Sequence, residues 1–293
     1  MHWWQALILG IVEGISEFLP ISSTGHLILA QRMLGLANDE AARAYSICIQ
    51  AGAILAVLAI YSSRFVEMLR GVTRGDVAGR RLIANIVVAF LPAAIVGLLF
   101  EKTIDRYLFG LWPVVAAWFV GGAAILAVAK LRVGVTEGGS GVGARDVDRL
   151  EWKTALAIGL WQCLALWPGT SRSLVTIAGG VLAGLTLSAA VEFSMLLGLV
   201  TLLAATGYKA LHGGKTMLAE YGLFSTTIGF AVAFVCAWIA VRWMIGYVKS
   251  HGMAVFGWYR VLLTGQFDDA ARLEKEVTFY HRPVLGATGS QLR

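Results

Sequence analysis

Residues 13–26 read Glu13-Gly14-Ile15-Ser16-Glu17-Phe18-Leu19-Pro20-Ile21-Ser22-Ser23-Thr24-Gly25-His26, inside an otherwise apolar stretch that runs from 2 to 34. A membrane-spanning helix takes about 20 mostly apolar residues, so this stretch is too long for one helix. Two carboxylic acids, a proline and three consecutive hydroxyls interrupt it near its middle. The economical reading is a pair of half-helices joined by a short loop inside the membrane. The stretch 154–191 has the same character, broken at Pro168-Gly169-Thr170-Ser171-Arg172-Ser173. Irregular backbone at that depth survives only where protein buries it or where it lines a wet cavity.

Composition supports a membrane setting for both breaks. Hydrophobic residues make up 58% of the 293 and charged residues only 14%, against about 25% charged in a soluble domain. Ordinary cytosolic enzymes, disordered chains and disulfide-stapled secreted modules are excluded. The net charge of +6 belongs to loops, since Lys and Arg collect on the cytoplasmic side; no basic patch interleaved with aromatics points to nucleic acid. Cys48, Cys163 and Cys236 stand singly in apolar runs and read as small buried hydrophobes. No cleavable signal peptide is expected, because the N-terminus lacks a basic region and Glu13 and Glu17 interrupt its apolar run.

Working outward, apolar runs at 44–63, 82–100, 107–129, 193–208, 221–241 and 253–267, the last interrupted by Arg260, predict six crossings. The expected fold is an all-α integral membrane protein of six transmembrane helices plus two re-entrant helical hairpins. Arg64, Arg70, Arg74, Arg80 and Arg81 in one loop, and Lys130, Arg132, Arg145, Arg149 and Lys153 in another, place both loops in the cytoplasm. The first hairpin then enters from outside and the second from inside. Gly10 to Glu13 and on to Thr24 can be laid over Gly159 to Gln162 and on to Arg172 with one gap, matching Ser23 to Ser171. Residues 1–293 are therefore read as one membrane domain of inverted repeats, 1–129 and 150–265. A glycine-rich cytoplasmic linker at 130–149 joins them, and a polar tail follows at 266–293. Such repeats place a site near the midplane, where half-helix N-termini attract anions.

Glu13 and Glu17 are four residues apart, about 40° on a helix, and so share a face. Each costs on the order of 3 kcal/mol at mid-bilayer. They either snorkel to an interface or form a cavity-facing pair that shares a proton or binds a divalent cation. Ser22, Ser23 and Thr24 exceed what a helix cap needs. With His26 and a carboxylate close by they supply the parts of an activated nucleophile. Arg172, in mid-hairpin, requires an anionic partner. Either it pairs with Glu13 or Glu17, or it clamps phosphate bidentately beside the backbone N–H groups of a half-helix start, with Gly169 allowing close backbone approach. The two readings are compatible. Gln50 and Gln162 suggest supporting hydrogen bonds between helices.

EGISEFLPISSTGH and PGTSRS together resemble the two signature segments of the bacterial undecaprenyl-diphosphatases, the BacA-type bacitracin-resistance family; IQAGAILAV (49–57) and QCLALWPG (162–169) are also similar to it. The likeness runs from about residue 4 to 264. It implies a membrane phosphatase of the bacterial cytoplasmic (inner) membrane with inverted repeats and two re-entrant hairpins, often a dimer. Such an enzyme removes the terminal phosphate of a polyprenyl diphosphate on the outer face, regenerating the carrier lipid for peptidoglycan synthesis. By motif match, Glu17, Ser23, His26 and Arg172 would be catalytic. Ser22, Thr24, Gly169, Thr170, Ser171 and Ser173, with Arg172, would bind substrate, and Glu13 and Glu17 would hold a divalent cation, Mg2+ or Ca2+. Two departures stand out: Leu174 replaces the glycine usual after SRS, and Ser16 stands where threonine is common.

Three nucleophiles remain open on sequence: Ser23 with Glu17 or His26 taking its proton, His26 itself, or water. A carrier-lipid transporter would use the same repeat and anion site but would not need the hydroxyl–imidazole–carboxylate cluster. A phosphatidic-acid-type phosphatase needs a further histidine soon after its Ser-Arg, and Ser171-Arg172 is followed by Ser-Leu-Val-Thr-Ile-Ala-Gly-Gly.

Overall fold

The computed structural model describes residues 1–36, 40–108, 110–131 and 145–265. Among these residues the protein is helical throughout, β pairing being limited to an isolated bridge between Arg145 and Leu185. The helices are α1 (Trp3–Ser16), α2 (Ser23–Met33), α3 (Glu40–Ile60), α4 (Ser62–Arg74), α5 (Val77–Leu108), α6 (Leu111–Leu131), α7 (Trp152–Gln162), α8 (Arg172–Leu182) and α9 (Leu187–His251). A last helix, α10, covers 254–265.

Helix α9 is formally 65 residues long, with a non-helical Gly222 (φ 70°, ψ 160°) inside it. Unbroken, it would be about 98 Å long, three times the hydrocarbon thickness. The chain instead reverses at Gly222: Ser188 near the start of α9 and Lys249 near its end line one cavity. The two arms, Leu187–Gly207 and Gly222–His251, are each long and apolar enough to span, as are Val77–Ile104 and Trp112–Lys130. Tyr45–Ile60 and Ser62–Arg74 reach that length and apolarity only together, bent by 78° at Tyr61, as a broken span or a re-entrant segment would be. The sixth predicted crossing is helical over 254–265, shorter than a span requires. The protein is an all-α integral membrane protein.

Both predicted breaks are present. α1 ends at Ser16, and Glu17 keeps helical backbone angles as its cap. The helix therefore ends before Pro20 is reached. Phe18, Leu19, Pro20 and Ile21 form a buried apolar tip before α2 begins at Ser23. In the second hairpin α7 runs into a 3-10 turn, Cys163–Leu166, and α8 begins at Arg172. Ser22 (φ 72°) and Ser171 (φ 74°) are, among the described residues, the only non-glycine residues with positive φ, and each immediately precedes a half-helix. Backbone geometry thus pairs Ser171 with Ser22, one residue from the Ser23 match, because the second tip has one more residue between its proline and its cap.

Small residues let the first arms lean on full spans. A methyl on Gly10 or Gly14 would strike the α9 backbone at Gly229 or Ala233, and one on Gly159 would strike Ala89 of α5. Close backbone approach of this kind is how membrane helices associate without a hydrophobic driving force.

At the charged end, Arg64 binds Glu192 (2.6 Å), Glu67 (2.8 Å) and Asp148 (2.8 Å), tying α4, α9 and the 3-10 turn Val147–Arg149 together. Part of the expected linker, 132–144, and the tail, 266–293, lie outside the described residues. From Arg145 onward the linker is packed: Arg145 N–H donates to Gly184 O, and Thr186 N–H donates to Arg145 O.

Candidate active site

The two hairpin tips meet. Ser173 Oγ donates to Leu19 O (3.0 Å) across them. Arg172 of the second tip approaches Glu17 of the first, Nη2 to Oε1 3.8 Å, with its guanidinium 5.4 Å above the Phe18 ring. Residues 155 positions apart in the chain therefore share one buried site.

Glu17 is the hub. It accepts a hydrogen bond from Ser23 Oγ, with Glu13 and Gln50 as its other polar neighbours. Thr206 of α9 donates to Gln50 Oε1 of α3 (3.0 Å), a supporting bond between helices. Glu13 is 1% exposed, which rules out snorkelling to an interface in this arrangement.

Arg172 is held from behind. Its Nη1 donates to Ser194 O of α9 (2.9 Å), and Gly198, one turn further on, leaves the space the guanidinium fills. The other edge, Nε and Nη2, is buried without a hydrogen-bond partner, as are Glu13 Oε2 and Thr170 Oγ1. Buried polar atoms are almost always paired. Unpaired donors on Arg172 beside the Glu17 carboxyl mark a ligand site, and a planar N–H edge suits the bidentate geometry of phosphate.

The remaining predicted residues divide. Ser22 places its carbonyl 2.7 Å from His26 Nδ1, and His26 Nε2 lies 2.7 Å from the Tyr259 hydroxyl. The Ser23 hydroxyl is bonded to Glu17 and not to His26. Ser171 Oγ caps Leu174 N–H (3.4 Å) and bonds Ser173 Oγ (3.0 Å), so both hydroxyls serve the tips. The close approach that Gly169 permits is to Val114 of α6. Thr24 is half-buried on the first turn of α2. Leu174 is buried in the main apolar core.

Sequence reading passed over Arg260. It is fully buried and donates to Pro20 O (3.4 Å) of one tip and Gly169 O (2.9 Å) of the other. It also bonds Ala117 O (2.9 Å) and Trp118 O (3.3 Å) of α6. Gly121 clears the space it needs. Four donors of one guanidinium thus staple both tips to α6. The signal was the one that singled out Arg172, a guanidinium inside an apolar run; Arg260 was read only as an interruption of a span.

Among the described residues no three His, Cys, Asp or Glu side chains are grouped as a metal cage. Glu13 and Glu17, with one buried oxygen orphaned, fit an ion whose coordination is completed by substrate oxygens, the usual manner of magnesium at phosphate sites.

A sequence model of the family described as "Bacitracin resistance protein BacA" matches residues 6–266. The chain is 46% identical to an undecaprenyl-diphosphatase of Sorangium cellulosum over 264 residues, covering 90% of this chain and 84% of that protein. It is 46% identical over 258 residues to one of Nitrosomonas europaea (88% and 90% covered) and 44% identical over 259 residues to one of Methylococcus capsulatus (88% and 91%). With a family match across nearly all of its length and relatives covered almost end to end, the chain belongs to the BacA bacitracin-resistance family.

Proposed function

We propose that the chain is a membrane-embedded phosphatase that hydrolyses undecaprenyl diphosphate to undecaprenyl phosphate and inorganic phosphate. Its names among relatives support this. The observation that carries it is the hydroxyl of Ser23 bound to the Glu17 carboxyl, directly beside the unsatisfied N–H edge of Arg172. A transporter of the monophosphate would need the cation but has no use for a hydroxyl paired with a base.

In this reading the diphosphate lies between the tips with its terminal phosphate on Arg172 Nε and Nη2, and the lipid tail runs between helices. Ser23 Oγ attacks the terminal phosphorus as its proton passes to Glu17. The bond from phosphorus to the bridging oxygen breaks and undecaprenyl phosphate leaves. Water then attacks the phosphoserine, its proton going to His26, which sits three residues beyond Ser23 on the same face of α2. Glu17 returns its proton to Ser23 Oγ as phosphate departs. Glu13 and Glu17 would hold a divalent cation, which when bound supplies positive charge to the diphosphate oxygens. Charge stabilisation dominates, because phosphoryl transfer leaves little covalent work for the protein.

The loop charges support an outward-facing site in a bacterial inner membrane, with both arginine-rich loops cytoplasmic. The matching left-handed caps at Ser22 and Ser171 support the inverted repeat. The test is phosphate release from purified protein given undecaprenyl diphosphate, with and without chelator, in wild type and Ser23→Ala. Release abolished by Ser23→Ala, with a trapped phosphoserine at Ser23 in wild type, is expected. Near-wild-type turnover of Ser23→Ala would remove the nucleophile, and no release from wild type would remove the function.

A further inference from the structure

Helix α10 contributes two consecutive residues to this region, and they do different things. Arg260 staples the tips. Tyr259 stacks on His26, ring centroids 5.7 Å apart and planes within 9°, and places its hydroxyl 2.7 Å from Nε2. On another side of the imidazole lies the buried Trp118 of α6, centroids 4.9 Å apart at 43°. The second ring nitrogen, Nδ1, is 2.7 Å from Ser22 O.

These contacts decide where the imidazole hydrogen sits. A carbonyl oxygen only accepts, so Nδ1 carries the hydrogen. In the neutral ring Nε2 is then the lone-pair nitrogen, and the Tyr259 hydroxyl donates to it. The Ser22 carbonyl, the Tyr259 hydroxyl and two aromatic faces leave the ring one tautomer and one plane. Proton transfer contributes only when the accepting nitrogen is the right one in the right place.

We propose that Tyr259 serves the phosphatase reaction through His26: it fixes the ring plane and the Nδ1–H tautomer, and its hydroxyl, which holds the Nε2 lone pair, passes its hydrogen to Nε2 as it takes the proton of the hydrolytic water. The proposal rests on the reading of the site as a phosphatase in which His26 takes the proton of the hydrolytic water. Tyr259 acts through His26 and need not touch the phosphoryl group. Nothing in the sequence marks it, since a tyrosine in an apolar helix is ordinary.

Two measurements on the full-length protein in lipid nanodiscs test it. The first is 15N NMR of histidine-labelled protein, with His26→Asn identifying the His26 signals. Wild type should show hydrogen on Nδ1 and a hydrogen-bonded imine nitrogen at Nε2. Tyr259→Phe, which keeps the ring and removes the hydroxyl, should move Nε2 to the position of an unbonded imine. The second is steady-state phosphate release. Tyr259→Phe should lower kcat about tenfold or more, part of the usual contribution of a proton-transfer group, with KM unchanged. Tyr259→Leu, which also removes the stacking face, should lower kcat further.

Hydrogen on Nε2 in wild type, a His26 spectrum indifferent to Tyr259→Phe, or an unchanged kcat would each overturn the proposal. A wild type that releases no phosphate fails the phosphatase reading instead, and the tautomer is still read from the spectrum.

Discussion

Gly198 of α9 and Arg172 of α8 are matched in shape: the guanidinium lies where a side chain at position 198 would be, so a single added methyl overlaps it. The arginine of the candidate site is therefore placed by the absence of an atom on the following helix, and by the Ser194 carbonyl one turn before that gap.

Replacing Gly198 with Ala separates placement from stability. In a helix the change by itself favours folding by about 0.5–1 kcal/mol, and the atom it displaces is the far end of a flexible side chain. The variant should still fold, the helix gain offsetting part of the loss of the bond to Ser194 O, and should lose on the order of a hundredfold in kcat/KM, the cost of misplacing a group by about an ångström. Wild-type activity in Gly198→Ala would show that Arg172 need not sit where it does.

Arg172→Lys keeps the charge and loses the planar edge. If Nε and Nη2 grip the terminal phosphate as a pair, lysine cannot replace them. Activity should fall by about a hundredfold or more, the scale of one oxyanion donor. A loss of tenfold or less, measured as phosphate release, would contradict the clamp.

Arg260→Met should act on the fold first. It leaves carbonyls of Pro20, Gly169, Ala117 and Trp118 without this donor, and orphaning even one buried group costs about 1–3 kcal/mol. Thermal unfolding in detergent should shift clearly downward and activity should fall with it. Arg172→Lys should lose activity at an almost unchanged melting temperature. The two arginines are thus told apart by which measurement moves.

Glu13→Gln removes one of the two carboxyls offered to a cation while preserving its size. Titration of phosphate release against Mg2+ should show half-saturation raised about tenfold or more, the scale seen when a metal's supporting groups are altered, with some activity recovered at high Mg2+. An unaltered cation requirement would assign the ion elsewhere.

Much of the site was legible because the membrane makes polarity expensive. Glu13, Glu17, Ser23, His26 and Arg172 stood out as groups that an apolar segment would not carry without cause, and the structure brings Glu13, Glu17, Ser23 and Arg172 into one buried cluster. The same rule should have raised Arg260, and its weight was lost because it fell in the last apolar run. Gly198 and Tyr259 left no trace, since glycine and tyrosine are ordinary in membrane helices. Pairing Ser23 with Ser171 failed by one residue because hydroxyl identity was compared, whereas the chain reuses a backbone conformation, positive φ at Ser22 and Ser171.

Segment length and burial cost are local properties, so the order of residues alone established an all-α membrane protein with two interrupted segments and named the groups that need a reason to be there. Which of those groups meet is a matter of distances between helices far apart along the chain. That Glu17, rather than His26, holds the Ser23 hydroxyl, that Arg172 turns one edge to α9 and leaves the other free, and that Arg260 binds both tips to α6 all follow from the packing of α6, α9 and α10 around the hairpins. Close approach there is governed by missing side chains and by backbone carbonyls, which no residue letter displays.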